Sequence, residues 1–128
     1  MSVKILNHPL IDHHMNKLRS KDTNNFDFRI SAKIVSNLMG YEIFKSLSTE
    51  NVQINTPLEK FKGREVKKPF PCLVSILRAG SIIVDGLLEV FPNCSVGHIG
   101  IYRDHKTLLP KDYLTKLPNN IHKKKVFL

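Results

Sequence analysis

The stretch Ser75-Ile76-Leu77-Arg78-Ala79-Gly80 is the part of this sequence best suited to chemistry. It places an arginine directly after a nearly continuous apolar run, Phe70 to Leu77, and follows it with two small residues. Such a run reads as a strand buried on both faces of a parallel sheet, and in open α/β sheets ligands bind at the carboxyl tips of the strands. Arg78 brings a permanent cation whose fork of donors matches phosphate oxygens. Gly80 lets a backbone approach a ligand closely, and a helix opening there favours an anion at its N-terminus. A second apolar run, Ser95 to Tyr102, ends in the same way on Arg103. Two arginines at the tips of neighbouring parallel strands would face one crevice and form a phosphate site. The plainer alternative, two ordinary surface arginines, is left open by spacing alone.

The elements that must position these residues follow from periodicity. Ile82, Ile83, Gly86, Leu87, Val90 and Phe91 form a helical patch between the two runs, and Pro92-Asn93 stops it. Strand, turn, helix and strand in that order make a βαβ unit. Upstream, His8-Pro9-Leu10 opens a short helix carrying Ile11, Met15 and Leu18, with Pro9 suited to its first turn. Asp22-Thr23-Asn24 breaks that helix and can cap the next. Phe26, Ile30, Ile34, Leu38 and Tyr41, widened by Val35 and Phe44, set the apolar stripe of a long amphipathic helix ending near Ser46. Val52 and Ile54 give a weak edge-strand signal, and Pro57 to Lys68 reads as a turn or short hairpin. Leu108 to Leu117 alternates poorly, as an arm or long loop would. Lys125-Val126-Phe127-Leu128 looks like the opening of a third buried strand. A domain that stops inside a core strand leaves unpaired backbone groups, so the sequence reads as cut short.

Composition narrows the class. With 128 residues, 41% hydrophobic and 24% charged, the chain is globular and sized for one small domain. No window reaches the roughly 18 consecutive apolar residues of a membrane span, and the N-terminus lacks the apolar core of a signal peptide. A soluble cytoplasmic protein is expected, with no membrane partner. Cys72 and Cys94 sit among apolar residues and read as buried free thiols. The net charge of +9, from 20 Lys+Arg against 11 Asp+Glu, suits a polyanion partner. The lysines are scattered, however, and no aromatic-basic interleaving appears. The excess fits an AT-rich coding sequence better, and nucleic acid is not expected as a partner. His8, His13 and His14 cluster without a metal-ligand spacing and read as structural or solvent-facing, so no metal site is assigned to protein side chains. Asp104, beside Arg103, could at most help a magnesium ion through water.

Several separated blocks resemble the uracil phosphoribosyltransferase family. They are Leu77-Arg78-Ala79-Gly80, Asp85-Gly86 and Gly100-Ile101-Tyr102-Arg103, preceded by His8-Pro9-Leu10, Arg19, Asp22-Thr23, Phe28-Arg29 and Tyr41-Glu42 in the family order. The resemblance runs from about residue 8 to 128. It implies a type I phosphoribosyltransferase fold, α/β with a parallel sheet flanked by helices, incomplete at its C-terminus. A helical extension would span residues 1–48 and the start of the core 49–128, with an arm at about 104–118 that packs between subunits of a homodimer or larger homo-oligomer. It implies pyrimidine salvage: uracil and 5-phosphoribosyl 1-diphosphate give UMP and diphosphate, with Mg2+ on the diphosphate. Arg78 and Arg103 match the family's two diphosphate-contacting arginines, with Ala79 and Gly80 as supporting backbone.

The departure lies at the end of the chain. After its last strand the family carries an acidic pair or Asp-Pro, then a Thr-Gly-Gly-Ser loop for the 5-phosphate, and later a hood that selects uracil. This sequence has no Gly-Gly pair and no acidic residue after Asp112. The expectation is a front portion that is inactive alone, with no catalytic residue identifiable. The alternative is a non-catalytic remnant that dimerises with an intact paralogue.

Overall fold

The computed structural model describes residues 3–128. Its central sheet has four strands in the order β5-β4-β3-β6: β3 is Cys72–Leu77, β4 Ser95–Arg103, β5 Pro110–Lys116 and β6 Val126–Phe127. Strands β6, β3 and β4 run parallel, with Leu73 opposite both Val96 and Phe127. Helix α3, Ser81–Val90, makes the crossover from β3 to β4. Both apolar runs therefore form the parallel strands read from the sequence. The fold is α/β, and its sheet is mixed rather than wholly parallel.

The exception is the arm. Read as an arm or long loop, residues 110–116 instead form β5, antiparallel to β4 at the sheet edge. Its outward side is solvent, so its side chains carry no period-2 hydrophobic signal; all but Leu114 are exposed. A separate hairpin pairs β1, Thr49–Asn55, with β2, Lys60–Val66, in full antiparallel register. It is longer than the short hairpin expected, because exposed strands of mixed polar residues give weak periodicity.

Helix α1, Pro9–Arg19, has Pro9 in its first turn, and His8 Nδ1 accepts the Leu10 N–H at 3.2 Å. Helix α2, Asn25–Phe44, is capped by Asn24, whose Oδ1 accepts the Asp27 N–H at 2.9 Å. The buried face of α2 corrects the apolar stripe read from the sequence. Its buried residues are Ser31, Val35, Ser36 and Gly40, while Phe26, Ile30 and Tyr41 are exposed. The cause is a close crossing with α3. A Cβ at Gly86 would lie 2.4 Å from Ser36 Cβ, and one at Gly40 3.1 Å from the Leu87 side chain. Small residues set this contact, and hydrophobicity does not report it. No helix among the described residues is long and apolar enough to cross a membrane.

Leu73, Val84, Leu87 and Cys94 form the core, with Ile43, Phe44, Leu88, Phe91, Val96 and Phe127 packed around them. Phe44 meets Phe91 and Phe127 edge-on, each at 5.8 Å between ring centres, a favoured aromatic geometry. Phe127 thus ties β6 to the core through α2, although Val126 is exposed. Both cysteines are free and buried. Burial, and secondarily the neighbouring Cys72, pushes the Cys94 thiol up to about 11.

Candidate functional site

Leu77 lies opposite Gly100 in the parallel ladder, so β3 ends there while β4 runs three residues further, to Arg103. Arg78 is the first residue past the tip of β3 and Arg103 the last residue of β4. Both are exposed, and among the described residues no carboxylate pairs with either guanidinium. The carboxyl edge of the sheet thus carries two cations that no carboxylate among the described residues neutralises. The Leu77–Arg78 peptide bond is cis.

An open cavity of about 620 Å3 lies at these tips, lined by Leu77, Arg78, Ala79, Ile101, Tyr102 and Tyr113. Arg78 and Ala79 belong to its wall, as the sequence predicts; Arg103 stands one residue beyond the wall residue Tyr102. Gly80 lies outside the lining. Its missing side chain is explained by the chain itself, since a Cβ there would sit 2.8 Å from the Ile76 carbonyl oxygen. The glycine lets the turn fold back on β3. Gly80 is also the N-cap of α3, offers no capping side chain, and borders the apolar groove beside β3 and α3 rather than this cavity.

The acidic neighbour Asp104 is engaged elsewhere. Its Oδ1 accepts the backbone N–H groups of Lys106 and Thr107, each at 2.9 Å, and its Oδ2 accepts from Lys111. These donors, Lys111 foremost, hold its carboxyl down at about 2. Asp104 shapes the β4–β5 loop rather than offering a free oxygen to a cation. The histidine cluster also has structural work. His8 caps α1, and His14 Nδ1 lies 3.2 Å from the buried Ser31 Oγ, with His13 edge-on to it. Desolvation, then the neighbouring His13 and Lys17 charges, lowers the His14 pKa.

Tyr102 and Tyr113, with ring centres 6.3 Å apart, supply the aromatic part of the cavity wall. Neither stood out in the sequence as a site residue. Gly100, a glycine inside an apolar strand, was the available signal, because such a residue often marks close approach of another group.

The carboxyl edge of the parallel sheet thus sets the Arg78 cation in the cavity wall and the Arg103 cation one residue beyond it, an arrangement suited to an oxygen-rich anion. The family model for uracil phosphoribosyltransferase matches residues 5–128. The chain belongs to this family. Relatives named uracil phosphoribosyltransferase include one from Dictyoglomus thermophilum, 44% identical over 126 residues, and one from Streptococcus pneumoniae strain R6, 43% identical over 126 residues. These alignments cover 98% of this chain but 61% and 60% of the relatives, so the chain spans about three fifths of their length. The structure of the AQ2163 protein from Aquifex aeolicus superposes with a TM-score of 0.80 at 34% identity, over 88% of this chain and 54% of that one. The α/β architecture of that structure is therefore shared across 88% of the present chain.

Proposed function

We propose that this chain forms the diphosphate-binding part of a cytoplasmic uracil phosphoribosyltransferase, which converts uracil and 5-phosphoribosyl 1-diphosphate to UMP and diphosphate. The observation that carries this reading is the pair Arg78 and Arg103, exposed cations at the tips of adjacent parallel strands in a chain of this family. Breaking the anomeric bond leaves an oxocarbenium-like centre and a strongly anionic leaving group. Fixed cations beside that leaving group stabilise charge where it develops, and positioning of the two reactants supplies much of the remainder. Arg78 and Arg103 hold the diphosphate, with the Ala79-Gly80 backbone in support.

Magnesium would arrive with the diphosphate and would offset the charge of the leaving group. The acidic side chain next to Arg103, Asp104, offers it no free oxygen, because it is held by Lys111 and the loop amides. Exposed Leu108 and Leu109 on the arm support assembly as a homodimer or larger homo-oligomer.

The 128-residue polypeptide by itself forms no UMP, since this sequence contains no Gly-Gly phosphate loop. Two measurements test the reading. Calorimetric titration with diphosphate should show binding that Arg78→Ala weakens by about 10- to 100-fold, the worth of a hydrogen bond or two to a charged group. Incubation with uracil, phosphoribosyl diphosphate and magnesium should yield no UMP. Formation of UMP that disappears in Arg78→Ala would overturn the inactivity claim, and absence of diphosphate binding would overturn the site.

A further inference from the structure

Strand β5 does not pair evenly with β4. Gly100 is opposite Leu114, and Ile101 is opposite Asp112, so Tyr113 has no partner in the ladder. It is the extra residue of a β-bulge, a device that re-aims a side chain and is common beside active sites. The bulge turns Tyr113 onto β4. A Cβ built on Gly100 would lie 2.5 Å from Tyr113 Cζ, 2.7 Å from Cε2 and 2.9 Å from Cε1. The phenol end of the ring therefore rests on the bare backbone of Gly100, and a side chain at position 100 would push the ring off this seat.

That contact lies three residues before Arg103. The same ring faces Tyr102 and shares the cavity wall with Arg78 and Ala79. The bulge, the bare glycine and the cavity wall are separate observations, and all place Tyr113 as a brace between the arm and the tip of β4. We infer that Tyr113 is a positioning residue of the diphosphate site, holding the Gly100–Arg103 tip against Arg78 through ring contact with Gly100. This rests on the diphosphate reading above and adds to it how the second cation is kept in place. The brace acts through the ring, so its hydroxyl is dispensable.

The test uses the full chain and inorganic diphosphate. Calorimetry should show Tyr113→Ala and Gly100→Ala binding about tenfold or more weakly, the penalty that small misplacements of binding groups carry. Tyr113→Phe should stay close to the parent. The chain has three tyrosines, so 3-fluorotyrosine labelling gives three fluorine resonances, assignable by single Tyr→Phe changes. On diphosphate addition the Tyr113 and Tyr102 signals should shift while Tyr41 stays still. This second readout needs no variant with a perturbed core, so it decides the matter even where Gly100→Ala folds poorly.

Parental affinity in Tyr113→Ala, with only the melting temperature lowered, would make Tyr113 a packing residue and overturn the inference. So would a Tyr113 resonance that ignores bound diphosphate. Equal losses in Tyr113→Phe and Tyr113→Ala would replace the brace with direct contact by the hydroxyl. A parent chain that does not bind diphosphate at all overturns both this inference and the site reading, whereas binding without any Tyr113 dependence overturns this one alone.

Discussion

Arg78 and Arg103 reach one edge of the sheet by different routes. Arg78 follows the end of β3 directly, whereas Arg103 stands at the end of a strand that outruns its neighbour by three residues. A guanidinium and an ammonium are not equivalent at such a site, because the planar fork can meet two phosphate oxygens at once. Arg78→Lys should therefore recover only part of the diphosphate affinity lost in Arg78→Ala, as titration calorimetry will show. Asp104 supports the loop after Arg103 as an anion. Its folded pKa is depressed, from 3.8 to about 2, so its contribution is present above pH 3.8 and is lost as pH falls toward 2. Melting temperatures measured across that range should fall in the parent and lose this component in Asp104→Asn. Cys94 behaves oppositely. With its thiol raised from 9.0 to about 11, its stabilising effect is complete below pH 9 and fades as pH rises through 11. Iodoacetamide should leave Cys94 unmodified at pH 8, measured by mass spectrometry on the folded chain, since the thiolate is the reactive form.

At the scale of elements, the contact between α2 and α3 decides how the βαβ unit is covered. Gly86 sits where a Cβ would meet Ser36 Cβ at 2.4 Å and the Lys33 carbonyl at 2.9 Å, and backbone cannot move aside as a flexible side chain can. Gly86→Ala should cost about 1–3 kcal/mol, the usual penalty of overpacking, read as a lower urea midpoint. The propensity gain of alanine within a helix, about 1 kcal/mol, does not offset it. Helical spacing located α2, but Phe26, Ile30 and Tyr41 proved exposed while Ser31, Ser36 and Gly40 were buried. A hydrophobic pattern reports which residues avoid water on average. It does not report which face permits the closest approach of another helix, and here small residues win that face.

At the scale of the whole molecule, an apolar groove of about 550 Å3 runs beside β3, α3 and β6, lined by side chains such as Met39, Ile43, Ile83 and Phe127. Ile76 and Ile83 remain more than two fifths exposed there. Apolar surface of this kind binds hydrophobic dyes. The folded chain should raise anilinonaphthalene sulfonate fluorescence at neutral pH, and Ile83→Asp should lower that signal without loss of far-ultraviolet ellipticity.

The two apolar runs, the helix between them and the arginines at their ends were legible from residue order alone, because each depends on local periodicity and on one charged residue beside an apolar segment. The asparagine cap of α2 and the proline at the start of α1 were legible for the same reason. Strand β5 was not. Its residues are mostly solvent-facing, so its pairing with β4 is set by backbone hydrogen bonds that carry no side-chain signature. The role of Gly80 also needed the fold, since only the turn back onto Ile76 shows what its missing Cβ accommodates. Tyr113 belongs wholly to tertiary structure: a one-residue bulge lays its ring on Gly100, thirteen positions away in sequence. Local chemistry determined where the cations stand. Through-space contact decided what surrounds them, because close approach between distant backbones follows from shape rather than composition.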